Sequence, residues 1–110
     1  MNTYVPQIWA VVKFTKYDSE PYYKILGGFW GSWRLSSQII SCGPFMDGNR
    51  IEFVTDTGSN YVCHPEDYGL NILTTGIFDN LKKNALHIAD ISMLDGENTD
   101  FINFYYGNQL

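Results

Sequence analysis

Apolar and polar residues alternate along most of this chain. Ile8, Ala10, Val12 and Phe14 take turns with Trp9, Val11, Lys13 and Thr15, which predicts a strand over 7–16. Its second row is itself partly apolar, as expected for a strand at the centre of a sheet or beneath a covered face. Asp18-Ser19-Glu20-Pro21 is turn chemistry. Tyr22 to Leu26 then alternates again, so the two segments should form an antiparallel hairpin. Leu35 to Met46 has β character around Ile39-Ile40-Ser41-Cys42, and Pro44 puts its end at an edge or a bend. Asp47-Gly48-Asn49 marks a tight turn. Ile51 to Thr55 alternates, Asp56-Thr57-Gly58-Ser59 is a second hairpin turn, and Asn60 to His64 returns as a strand. Short turns between these last strands give a meander, which together with the first hairpin makes an antiparallel sheet of about five strands.

The period changes after Pro65. Ile77, Phe78, Leu81 and Ala85 fall at helical spacing, with Thr74 or Thr75 placed to cap the helix. That stripe should pack on one face of the sheet. His87 to Met93 alternates, Asp95-Gly96-Glu97-Asn98 is turn-forming, and Phe101 to Tyr106 is aromatic. A C-terminal hairpin is expected there, or a short helix ending at Gly107. The fold class is therefore α+β: an antiparallel sheet, one main helix on a face, and a single domain over residues 1–110.

Between the first hairpin and the meander lies Gly27-Gly28-Phe29-Trp30-Gly31-Ser32-Trp33-Arg34. Glycine permits backbone shapes closed to other residues, and Trp and Arg often carry binding energy at protein surfaces. The segment reads as a binding loop in which Phe29, Trp30 and Trp33 supply apolar contact and Arg34 a directed fork of donors. The competing reading is structural: the glycines bend the chain and the indoles plug the end of the sheet. Stacked aromatics beside an arginine also suit a small nucleotide, with Trp30 or Trp33 on a ring and Arg34 on a phosphate.

Composition narrows the function classes. Of 110 residues, 45% are hydrophobic and 17% charged, and 18 are aromatic, which points to an ordered, strand-rich domain able to bury a core without staples. Net charge is −5, and the imbalance is one-sided. Residues 1–65 match five acids with five bases, whereas 66–110 carry seven acids against Lys82 and Lys83. Long nucleic acid is thus an unsuitable partner. Glu66, Asp67, Asp95, Glu97 and Asp100 form a candidate acidic surface for a basic partner protein, unless they serve solubility alone. No charged-then-apolar leader is visible, and the longest apolar run, Ile8 to Val12, is far short of a membrane span. The two half-apolar strand faces leave a homodimer open.

Candidate chemistry is sparse. Cys42 and Cys63 lie 21 positions apart and two strands from each other, which favours reduced, buried thiols in a cytoplasmic protein. Cys63-His64 with Glu66 and Asp67 hints at zinc, but consecutive strand residues point to opposite faces, and the paired ligand spacing is missing. A Cys42–His64 or Cys42–His87 couple has nothing positive to recommend it. Phosphate-loop, nucleophile-elbow and zinc-protease patterns do not occur. No catalytic residue, metal or cofactor is expected.

Two fragments, Ile25-Leu26-Gly27-Gly28 with Ser32-Trp33-Arg34-Leu35-Ser36-Ser37 and Ile39, and Gly58-Ser59 with Tyr61, Cys63-His64 and Tyr68-Gly69, occur together. As a pair they resemble small uncharacterised accessory proteins of large tailed bacteriophages over residues 22–69. Gln38 stands where that pattern has glycine. The resemblance implies a viral protein that works in the host cytoplasm by binding and inhibiting a host protein, often a defence enzyme.

Overall fold

Both rows of the Ile8–Lys16 strand are buried, and the rest of the architecture is built around that fact. The protein is described by a computed structural model covering residues 2–44, 50–85 and 89–94. Its strands are β1 (Thr3–Tyr4), β2 (Ile8–Lys16), β3 (Tyr22–Phe29), β4 (Ser32–Leu35), β5 (Ile39–Pro44), β6 (Ile51–Thr55), β7 (Asn60–Cys63) and β8 (Ala89–Met93); its helix is α1 (Ile72–Asn84). A central sheet runs β4-β3-β2-β8 and an outer sheet β1-β7-β6-β5. Neighbouring strands are antiparallel except β1, which lies parallel to β7 with Thr3 opposite Asn60.

From one row of β2, Trp9 and Val11 join Ile25 and pack against Ile39, Cys42, Ile51, Phe53, Tyr61 and Cys63 of the outer sheet. From the other row, Val12 and Phe14 join Leu26 beneath Ile77 and Phe78 of α1, with Leu35, Leu70 and Ile91 alongside. The layers are outer sheet, central sheet, helix. This accounts for the half-apolar second row of β2, which is central and covered on both sides.

The α+β class, the first hairpin, the β5–β6–β7 meander and the helix on a sheet face are as the sequence predicts. The strands differ in being shared between two sheets rather than joined in one. Alternation says which residues share a face, not which strand lies beyond the next connection. One sheet with a single helix would leave a face bare, whereas stacking the meander on the hairpin buries both rows of β2. The crossing occurs after Leu35. Ser36 Oγ accepts from the Ile25 amide at 2.8 Å and donates to the Ser37 carbonyl at 2.6 Å, and the chain restarts in the outer sheet with Ile39 opposite Thr55.

The helix begins earlier than predicted. Asn71, not Thr74 or Thr75, is the N-cap: its Oδ1 accepts from the Thr74 amide at 2.8 Å, while Thr74 Oγ1 accepts from the Asn71 amide at 2.9 Å. Thr74 is the reciprocal partner of a capping box, a role that places it three positions inside the helix. Cys42 on β5 and Cys63 on β7 flank β6 as buried thiols that are not joined in a disulfide. Among the described residues no helix is long and apolar enough to cross a membrane. The Asp47-Gly48-Asn49 turn, the Asp95–Asn98 turn and the C-terminal hairpin or short helix lie outside the described residues.

Candidate functional site

The Gly/Trp segment is the β3–β4 hairpin. Phe29 pairs with Ser32, so Trp30-Gly31 is a two-residue turn. Gly31 has φ +70°, a backbone shape glycine adopts without strain, and a Cβ built there meets nothing within 4 Å. The turn therefore projects into solvent. Trp30 is 89% exposed and Trp33 44%. The indole that fills the domain is a different one. Trp9 is fully buried, its ring lies 4.7 Å from that of Tyr68 and 5.4 Å from that of Phe53, and its Nε1 donates to the His64 carbonyl at 2.8 Å.

Gly27 and Gly28 do not bend the chain; they are strand residues with crowded faces. A Cβ on Gly28 would lie 2.8 Å from Ile8 Cγ2 and 2.9 Å from Asn71 Nδ2. The bare glycine lets the first turn of α1 close onto the base of the hairpin. Register then sorts the candidate residues. Phe29, Ser32 and Arg34 fall on the face that meets β1 of the outer sheet, where the Phe29 ring lies 6.4 Å from Tyr4, edge to face. Trp33 pairs with Gly28 and is carried on the other face, the one that Asn71 approaches. Ile72 and Leu73, next in the chain, are 94% and 41% exposed. The four candidates thus share one hairpin but serve two surfaces, an exposed tip bearing Trp30 and an aromatic, cationic cleft bearing Phe29 and Arg34, with Trp33 at the boundary of the two.

The second surface is a cleft of about 340 Å³ lined by Tyr4, Phe29, Ser32, Trp33 and Arg34. The Arg34 guanidinium lies over the Tyr4 ring, 4.3 Å from its centroid, and Tyr4 in turn stacks on Tyr61 at 5.0 Å. Burial pushes the Tyr61 phenol above its ordinary value, and the neighbouring Arg34 pulls it partly back by favouring the phenolate. Sequence reading finds Phe29 and Arg34 but not Tyr4, because a two-residue strand leaves no periodic signal. It also misses Ile72 and Leu73, which precede the helical stripe that marks the core face.

Glu66 and Asp67 occupy a 3-10 turn, Pro65–Asp67, with Glu66 exposed. They are on a different connection from the hairpin. Asp95, Glu97 and Asp100 lie outside the described residues. Desolvation pushes the Cys42 thiol up to about 11 and the Cys63 thiol further in the same direction, so neither is a thiolate at neutral pH. Among the described residues no three metal-ligating side chains converge. Comparison with protein-family models, with curated proteins and with solved structures yields no match.

Proposed function

We propose that this chain is a non-enzymatic binding protein that engages a partner protein through the β3–β4 hairpin. In this reading the partner is a host defence protein, inhibited in the host cytoplasm by a phage-encoded accessory protein, and the resemblance of residues 22–69 to tailed-phage accessory proteins is what supports it. The observation that carries the binding reading is Trp30, 89% exposed at the tip of a tight turn. An indole buries on the order of 200 Å² when covered, which at ~25 cal/mol/Å² is about 5 kcal/mol before ordering costs. The base of the hairpin is packed against α1, so little of that gain is lost to ordering the loop. Trp33, Ile72 and Leu73 extend the apolar area, and Glu66 and Asp67 would steer a basic partner toward it.

Affinity capture from a bacterial host lysate tests this, with the intact protein beside a Trp30→Ala/Trp33→Ala double variant of matched melting temperature. A host protein recovered by the parent and lost by the variant supports the proposal. Equal recovery by both, or recovery by neither, sinks it.

A further inference from the structure

Arg34 sits in an unusual setting for an acidic protein. The chain has twelve carboxylates against seven lysines and arginines, yet among the described residues no carboxylate pairs with Arg34. Its guanidinium is instead held by the Tyr4 ring at 4.3 Å and lies beside the Tyr61 phenol, at the rim of a cleft. A cation stacked on an aromatic face is pre-organised, so it loses less entropy when it captures an anion. Ser32, two positions away on the same strand face, adds a hydroxyl. The remaining lining residues, Tyr4, Phe29 and Trp33, are all aromatic, and about 340 Å³ falls at the lower end of small-molecule sites, which run from roughly 300 to 1,000 Å³.

We infer that this cleft binds a nucleoside monophosphate, with the phosphate on Arg34 and Ser32 and the base against the aromatic walls. The phosphate follows from a guanidinium held by rings rather than by a carboxylate, a planar fork suited to phosphate oxygens. The base follows from the aromatic lining, since every nucleobase has a π-face that stacks on an aromatic side chain. A single phosphate, not a strand, follows from Arg34 being the one cation among the described lining residues, in a chain of net charge −5. The cleft shares Trp33 with the proposed protein-binding surface but does not include Trp30, the residue that carries that proposal.

Isothermal titration with adenosine 5′-monophosphate, uridine 5′-monophosphate, adenosine and inorganic phosphate tests the inference, beside thermal melting with the same four compounds. Either nucleotide should bind and raise the melting temperature, with adenosine and phosphate each weaker by about tenfold or more. Arg34→Gln should weaken the nucleotide by about tenfold or more through loss of the charge-assisted bonds. Ser32→Glu, which places a negative charge in the exposed cleft, should abolish binding. Melting of the two ligand-free variants at the parent temperature shows that the fold is intact. No binding of either nucleotide at about 1 mM, equal binding of phosphate alone, or unchanged affinity in Arg34→Gln would each overturn the assignment. No partner protein is needed, so failure here leaves the hairpin-tip proposal standing.

Discussion

Replacing Gly28 by alanine tests whether the hairpin is held against the helix as the structure shows. The new Cβ would arrive 2.8 Å from Ile8 Cγ2 and 2.9 Å from Asn71 Nδ2, separations that real Cβ atoms do not adopt, so both neighbours must move. Removing a strand glycine would by itself stabilise by roughly 0.5–1 kcal/mol. Overpacking opposes this at about 1–3 kcal/mol. Displacing Asn71 endangers its 2.8 Å cap on the Thr74 amide, which adds about 1 kcal/mol. Crowding and the weakened cap outweigh the gain in chain entropy, and Gly28→Ala should lose about 1–3 kcal/mol. Urea unfolding followed by circular dichroism reads this directly, as a lower midpoint with an unchanged slope. An Asn71→Ala background isolates the cause: with the amide gone, the penalty of Gly28→Ala should shrink by about 1 kcal/mol, a coupling within the range seen for touching residues. Gly31→Ala is the contrasting case. It costs about 1–2 kcal/mol through its φ of +70° alone, meets nothing within 4 Å, and should show no coupling to Asn71. A neutral or stabilising Gly28→Ala, or an identical penalty in both backgrounds, would refute the packing argument.

Two further outcomes follow from the interior. The Tyr68 hydroxyl donates to the Leu94 carbonyl at 2.6 Å and accepts from the Val11 amide at 3.0 Å, so Tyr68→Phe strands two backbone groups and should cost about 1–3 kcal/mol with the ring packing kept; a loss below about 0.5 kcal/mol would contradict that role. Alkaline pH should also destabilise the fold. The unfolded thiols ionise near 9.0, whereas Cys42 holds its proton to about 11 and Cys63 shifts in the same direction. Between those values the unfolded chain binds fewer protons, so the contribution is complete below pH 9.0 and is lost as pH rises, by up to about 1.4 kcal/mol per pH unit per thiol. The Tyr61 phenol, also raised by burial, adds to the decline above its ordinary value of 10.0. Unfolding midpoints measured from neutral to alkaline pH should fall steeply in the parent and more gently in a Cys42→Ala/Cys63→Ala variant; parallel curves would contradict the burial of the thiols.

How far the fold is legible depends on the kind of signal each element leaves. β2 and β6 alternate over their whole length, and the Asp56–Ser59 turn separates β6 from β7, so these elements are readable from residue types. The break between the two sheets is not, because Ser36-Ser37-Gln38 carries no turn signature that distinguishes a crossing from a bend. Asn71 is hard to single out as N-cap over Thr74, since the exposed Ile72 and Leu73 interrupt the apolar stripe that locates the helix start. The site is half legible. Composition picks out Phe29, Trp30, Trp33 and Arg34, but their division between two surfaces depends on strand register, and the ring on which Arg34 rests comes from Tyr4, thirty positions away in the other sheet.

The most direct test of the binding account is the affinity of the captured partner for Trp30→Ala, measured by titration calorimetry alongside the melting temperature of the free variant. Trp30 touches solvent on nearly all sides, so the variant should melt with the parent yet bind the partner more weakly by about 2 kcal/mol or more, roughly thirtyfold. Unchanged affinity, or a variant that loses binding only because it unfolds, would show that the hairpin tip is not where the partner is held.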